Sequence, residues 1–111
     1  MGKILNLGKV NTIKREQVRS ALECVDAVNL KEPVIDKVII FGSSVRDDCC
    51  EESDVDMCIF TDKDGSNIHY RKAHSRLFDI LDYNCDILNY RYLASDLKKE
   101  IEDTGVVVYE R

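Results

Sequence analysis

Between residues 36 and 61 the chain carries two short apolar runs, DKVIIFGS and SDVDMCIFT, separated by the polar stretch SVRDDCCEE. Runs of this length, rich in β-branched and other apolar residues and bounded by turn or charged residues, read as strands. The second run is the more constraining, because Asp54 and Asp56 alternate in it with Val55 and Met57. Side chains two apart along a strand share a face, with Cα atoms roughly 6.5 Å apart. The two carboxylates are therefore expected side by side, with Val55 and Met57 turned to the core. Two bare charges about 4 Å apart repel by about 4 kcal/mol at an effective dielectric of 20. Such a pair needs a shared proton or a cation between its members.

Helical spacing accounts for most of the remaining chain. Val18, Ala21, Leu22, Val25 and Val28 predict an amphipathic helix over about Ile13 to Leu30, which Pro33 separates from the first strand. DGSN reads as a turn, and Tyr70, Ala73, Leu77 and Ile80 mark a second helix over about Asn67 to Asp82. NCDILNY is a third strand, and Leu93, Leu97 and Ile101 define a third helix, which Gly105 is expected to end in a left-handed cap. VVVYE supplies a last strand. The order α-β-β-α-β-α-β implies an α/β or α+β domain, with a small mixed sheet flanked by helices.

The 111 residues suffice for one core, so a single domain over 1–111 is expected. A formal net charge of -5 disfavours direct nucleic-acid binding, which relies on clustered Lys and Arg. It leaves room for an anion that arrives with a divalent cation. No apolar run is long enough for a membrane span, and the N-terminal residues lack a secretory apolar segment, so a cytoplasmic setting is expected. Cys24, Cys49, Cys50, Cys58 and Cys85 form no CxxC pair and, with His69 and His74, match no familiar zinc spacing. Buried or half-exposed reduced thiols are the plain reading.

Asp86, in NCDIL, faces opposite to Cys85 and Ile87. If its strand lies beside the Asp54 strand, three acids converge at the end of the sheet. Hard oxygen donors with open positions suit Mg²⁺ or Mn²⁺. Ser43 and Ser44 can open a short helix with free backbone N–H groups that attract anions, and Arg46 can add a charge-assisted phosphate contact. Taken singly, Gly42-Ser43 is an ordinary turn, Asp54-Val55-Asp56 an exposed pair, and Asp86 a cap or a partner for Arg91.

Order and spacing together say more. Gly42-Ser43, the ten residues Ser44 to Ser53, Asp54-Val55-Asp56 and the downstream Asp86 resemble the nucleotidyltransferase signature of the DNA polymerase beta superfamily. The short length narrows the resemblance to the minimal nucleotidyltransferases, found as antitoxins beside HEPN-domain toxins. That resemblance implies a polymerase-beta-like fold and transfer of AMP from ATP to a tyrosine hydroxyl of the HEPN partner. It also implies that Asp54 and Asp56 hold two Mg²⁺ or Mn²⁺ ions. Asp86 would bind the catalytic ion and help deprotonate the attacking hydroxyl. Ser43, the Gly42 to Ser44 backbone and Arg46 would hold the nucleoside triphosphate's terminal phosphates. Transfer to a small molecule or an RNA end, and a domain that neutralises a partner by binding alone, are the alternatives.

The chain departs from the family pattern at Asp47-Asp48, which follow Arg46 where a small residue is common. The acidic residues from 47 to 52 either weaken nucleotide binding or are screened by solvent. Elsewhere, Arg71, Lys72 and Arg76 read as a solvated helix face, with a partner-docking patch as the sharper reading. His74 reads as a core-edge residue, and Tyr90 and Tyr92 as packed aromatics that could instead stack on a base.

Overall fold

Pro33 and Asn29 decide how the first helix hands over to the sheet. The structure, a computed structural model, describes residues 2–111. Helix α1 (Thr12–Lys31) starts at Asn11, whose side chain accepts a hydrogen bond from the Ile13 N–H. Beyond its end, Asn29 Oδ1 accepts from the N–H groups of Val34 and Ile35, each at 3.0 Å. Its Nδ2 donates to the Ile35 carbonyl and to the Tyr109 hydroxyl. One amide thus satisfies the backbone around a proline that cannot donate, and ties the reversal to the last strand.

The reversal feeds β2 (Lys37–Phe41), followed by β3 (Val55–Phe60), α2 (Ile68–Ile80), β4 (Cys85–Asn89), α3 (Ser95–Thr104) and β5 (Val106–Glu110). All six lie where the sequence pattern predicts them. A further two-residue strand, β1 (Lys3–Ile4), pairs with β5. It is too short to show a period in sequence and exists through its partner alone. The sheet order is β1-β5-β2-β3-β4. Every pairing is antiparallel except β3 with β4, which is parallel. Parallel neighbours need a crossover, and α2 supplies it.

Alternation along the strands divides the core between the two faces. On one face α1 and α2 pack Val18, Leu22, Val25, Ala73 and Leu77 against Val38, Ile40, Val55, Met57 and Ile59. On the other, α3 covers less, with Ile101 meeting Ile39 and Cys58 and with Phe41, Phe60, Leu88 and Leu97 partly buried around them. Asp56 and Asp86 belong to this second, thinly covered face. No helix among the described residues is long and apolar enough to cross a membrane.

Gly105 corrects one expectation. It caps α3 with φ −79 and ψ 166, an extended conformation and not a left-handed one, while its N–H still donates to the Ile101 carbonyl at 2.8 Å. Glycine is required there by space. A Cβ would overlap Ile39 Cγ2 and crowd the Ile101 carbonyl oxygen. Gly105→Ala is therefore expected to destabilise the fold by about 1–3 kcal/mol, the usual range for overpacking. Urea denaturation checks this, and an unchanged midpoint would show that the α3–β2 contact yields without cost.

Candidate active site

Register brings the acidic residues together. Asp56 lies opposite Asp86 on the neighbouring parallel strand and opposite Phe41 on β2. Asp54 directly precedes β3 and is exposed, as is Asp86, whereas Asp56 is half-buried. Val55 and Met57 are buried on the far side, as the alternation predicts. Burial pushes the Asp56 carboxyl above its ordinary value, the charges of Asp86 and Asp54 push it further, and Arg46 partly offsets them. The Cys85 thiol, raised by burial, also feels Asp54 and Asp86. The three carboxylates share one electrostatic neighbourhood centred on Asp56.

Gly42 closes one side of it. Its φ is +72, and a Cβ built there would collide with Asp56 Oδ2. Only glycine combines that backbone conformation with so close an approach. The chain then makes a single 3-10 turn, Gly42–Val45, where a short helix was expected. Ser43 is half-buried, and its carbonyl accepts from the Arg46 N–H at 2.9 Å. Ser44 is fully buried, its hydroxyl lying 3.4 Å from the Asp54 carbonyl oxygen, so its side chain braces the turn against β3. What Ser44 can offer a ligand is main chain.

Arg46 is exposed and occupied. Its Nε and Nη2 donate to the two carboxylate oxygens of Asp48 at 3.1 and 3.4 Å. The hydrogen bond to Asp48, and then its charge, raise the Arg46 pKa, with Asp56 and Glu100 adding smaller contributions. The pairing holds the Asp48 carboxyl below its ordinary value. Asp47, Glu51 and Glu52 point to solvent, where screening blunts their charge.

The start of α1 holds this loop in place. Asn11 N–H donates to the Ser44 carbonyl at 2.7 Å, and Asn11 Nδ2 to the Arg46 carbonyl at 3.0 Å. Lys14 is 4% exposed and its Nζ donates to the Glu51 carbonyl at 2.8 Å. Neither residue stands out in the sequence, since a polar residue in a helix's first turn is ordinary. Glu100, near enough to act on Arg46, was equally silent. Tyr90 stacks on Phe60 at 4.1 Å and donates to Glu102, so it serves packing, while Tyr92 is exposed. Cys49 and Cys58 are buried and Cys24 and Cys85 half-buried, but Cys50 is exposed, against the expectation for the thiols.

Among the described residues no three carboxylate, histidine or cysteine side chains stand close enough to form a ready metal cage. The donor chemistry nevertheless fits a divalent cation. Asp54, Asp56 and Asp86 present hard oxygen donors, and the neighbouring charges that add to burial in raising Asp56 are what a cation relieves.

Residues 23–111 match the family model described as Polymerase beta, Nucleotidyltransferase. The chain belongs to this nucleotidyltransferase family. No curated protein matches it significantly. Among solved structures, the complex of a tri-AMPylated Shewanella oneidensis HEPN toxin with an MNT antitoxin is similar at 19% identity and a TM-score of 0.57, over 82% of this chain and 70% of that one. A toxin-antitoxin structure with AMP-PNP matches at 19% identity and a TM-score of 0.60, over 77% and 69% of the two chains. A protein assigned as a minimal nucleotidyltransferase matches at 23% identity and a TM-score of 0.59, over 82% and 92%. Likeness at these identities establishes the polymerase-beta-like nucleotidyltransferase fold.

Asp56 makes a pH prediction. The folded state holds its proton more tightly than the unfolded chain does, so ionising it costs stability. That penalty is absent below the ordinary aspartate value of 3.8 and develops as pH rises through the raised value in the fold. Asp56→Asn is expected to raise the melting temperature of the metal-free protein at neutral pH and to lose that advantage in acid. Thermal melts followed by circular dichroism across pH decide this, and a variant no more stable than wild type at neutral pH would refute it.

Proposed function

We propose that this nucleotidyltransferase moves AMP from ATP to a hydroxyl of a partner protein, a HEPN-type toxin, with Mg²⁺ or Mn²⁺, and so acts as an antitoxin. The observation that carries the reading is the placement of Asp54, Asp56 and Asp86 on one open sheet face beside the Gly42 turn. The similar structures name an AMPylated HEPN toxin, an MNT antitoxin and AMP-PNP, which supports the choice of acceptor and nucleotide.

In this reading Asp54, Asp56 and Asp86 would hold the divalent ions, which would supply positive charge to the attacking and leaving oxygens of an in-line displacement. The N–H groups of Gly42 to Ser44 and the Arg46 guanidinium bind the terminal phosphates. Asp86 takes the proton of the acceptor hydroxyl as its oxygen bonds to the α-phosphorus. The bond from that phosphorus to the bridging oxygen breaks, and pyrophosphate leaves. Since Asp48 already grips Arg46, nucleotide binding exchanges that contact for phosphate. ATP as donor and reduced thiols fit a cytoplasmic setting.

Transfer of label from α-phosphate-labelled ATP to a co-expressed HEPN partner tests the reading. Asp54→Asn and Asp56→Asn are expected to lower labelling ~100-fold or more, the scale seen when transition-state charge loses a partner, with the circular dichroism spectrum unchanged. Undiminished labelling in either variant would sink it. Asp48→Asn, which frees an exposed Arg46, is expected to tighten Mg²⁺-ATP binding roughly two- to fivefold, the reach of a surface pair; unchanged calorimetric affinity would show that Arg46 does not meet phosphate.

The Arg46–Asp48 contact also favours a second reading, in which the domain neutralises its partner by binding alone. Tight partner binding with no measurable Mg²⁺-ATP affinity in the same calorimeter would establish that instead.

A further inference from the structure

Away from the acidic face, a groove of about 930 Å³ runs between α2 and the outer edge of β4. It is lined by Arg71, Lys72 and Arg76 from α2, Asn89 from β4, and the apolar surfaces of Ile68 and Tyr92, each 61% exposed. It shares no residue with the turn at Gly42 or with the three aspartates. In a chain of net charge -5, three neighbouring cations that form no ion pair among the described residues are conspicuous.

Two features of β4 sharpen this. It is an edge strand, paired only with β3. The Val55 N–H donates to the Asn84 carbonyl, which sets the phase of the parallel ladder: Asp86 and Leu88 bond toward β3, whereas Cys85, Ile87 and Asn89 turn N–H and C=O outward, the Ile87 carbonyl toward the His74 side chain of α2. An edge strand that keeps some outward main-chain groups is a template for another strand. In addition, the Asn89 side chain sits against the Tyr70 hydroxyl at the groove wall, with its Nδ2 buried and without a close hydrogen-bond partner among the described residues.

We propose that this groove docks an acidic, extended segment of a partner polypeptide, which adds to the free edge of β4 and sets its carboxylates on Arg71, Lys72 and Arg76. The outward main-chain row is matched by a peptide backbone and not by a nucleic acid, and the net charge of the chain opposes a polyanion away from the cationic patch. The site is independent of nucleotide chemistry and stands or falls without it.

The test uses a fluorescein-labelled peptide of alternating Glu and Val. Its anisotropy is expected to report saturable, salt-sensitive binding, weakened about tenfold or more in Arg71→Gln/Lys72→Gln/Arg76→Gln. These positions are exposed, so the variant is expected to keep the wild-type circular dichroism spectrum. Bound peptide is further expected to slow amide exchange at Cys85, Ile87 and Asn89, which a loose electrostatic contact would leave unchanged. The proposal is overturned by absent binding, by equal binding to the triple variant, by unaltered exchange at those amides, or by tighter binding of oligouridine. Self-association that the triple variant abolishes would assign the groove to a second copy and overturn it too.

Discussion

Two like charges held in register on adjacent strands are the costly contact around which this molecule is arranged. Asp56 and Asp86 face each other because β3 and β4 are parallel and aligned residue for residue. Electrostatics alone would separate them. What keeps them together is the opposite face, where Val55, Met57 and Ile59 of β3 are sealed under α1 and α2. A slip of β3 by one residue would turn those side chains to solvent and Asp56 into the core. The apolar face thus enforces a register that the acidic face resists.

The parallel pairing has a second consequence. An antiparallel hairpin could join β3 to a neighbour with a few residues, but a parallel one requires α2 as a crossover. The same helix that seals the core therefore carries its polar side past the edge of β4. Acidic face and cationic groove are two outcomes of one βαβ unit, on opposite sides of the same strand. Their separation follows from alternation: Asp86 projects to one face, and Cys85 and Ile87 to the other.

The loop from Ser44 to Ser53 shows how an acidic segment is tolerated beside an acidic site. Lys14 and Asn11 hold it through main-chain carbonyls, which leaves most of its carboxylates in solvent. Asp48 is exposed as well, and its carboxylate pairs with Arg46. The departure from the family pattern at Asp47-Asp48 therefore has a definite structural form, an ion pair between Asp48 and Arg46.

Local periodicity and spacing carried much of this into view. The three helices, four of the five strands and the inward Val55 and Met57 follow from patterns that side-chain geometry imposes on neighbouring positions, and the association of Gly42 with the aspartates from the family resemblance. Tertiary structure alone decided the rest. The contacts of Lys14 with Glu51 and of Asn11 with Ser44, the extended conformation of Gly105, the brief strand at Lys3–Ile4, and the orphaned amide of Asn89 each depend on a partner far along the chain. The sequence can declare that Asp54 and Asp56 share a face, because two residues on one strand have a fixed relation. Side-chain geometry along one strand does not bring Asp86 beside Asp56, which the family resemblance anticipated, or pair Asp48 with Arg46, because those relations exist only once strands have chosen neighbours and a loop has been pinned.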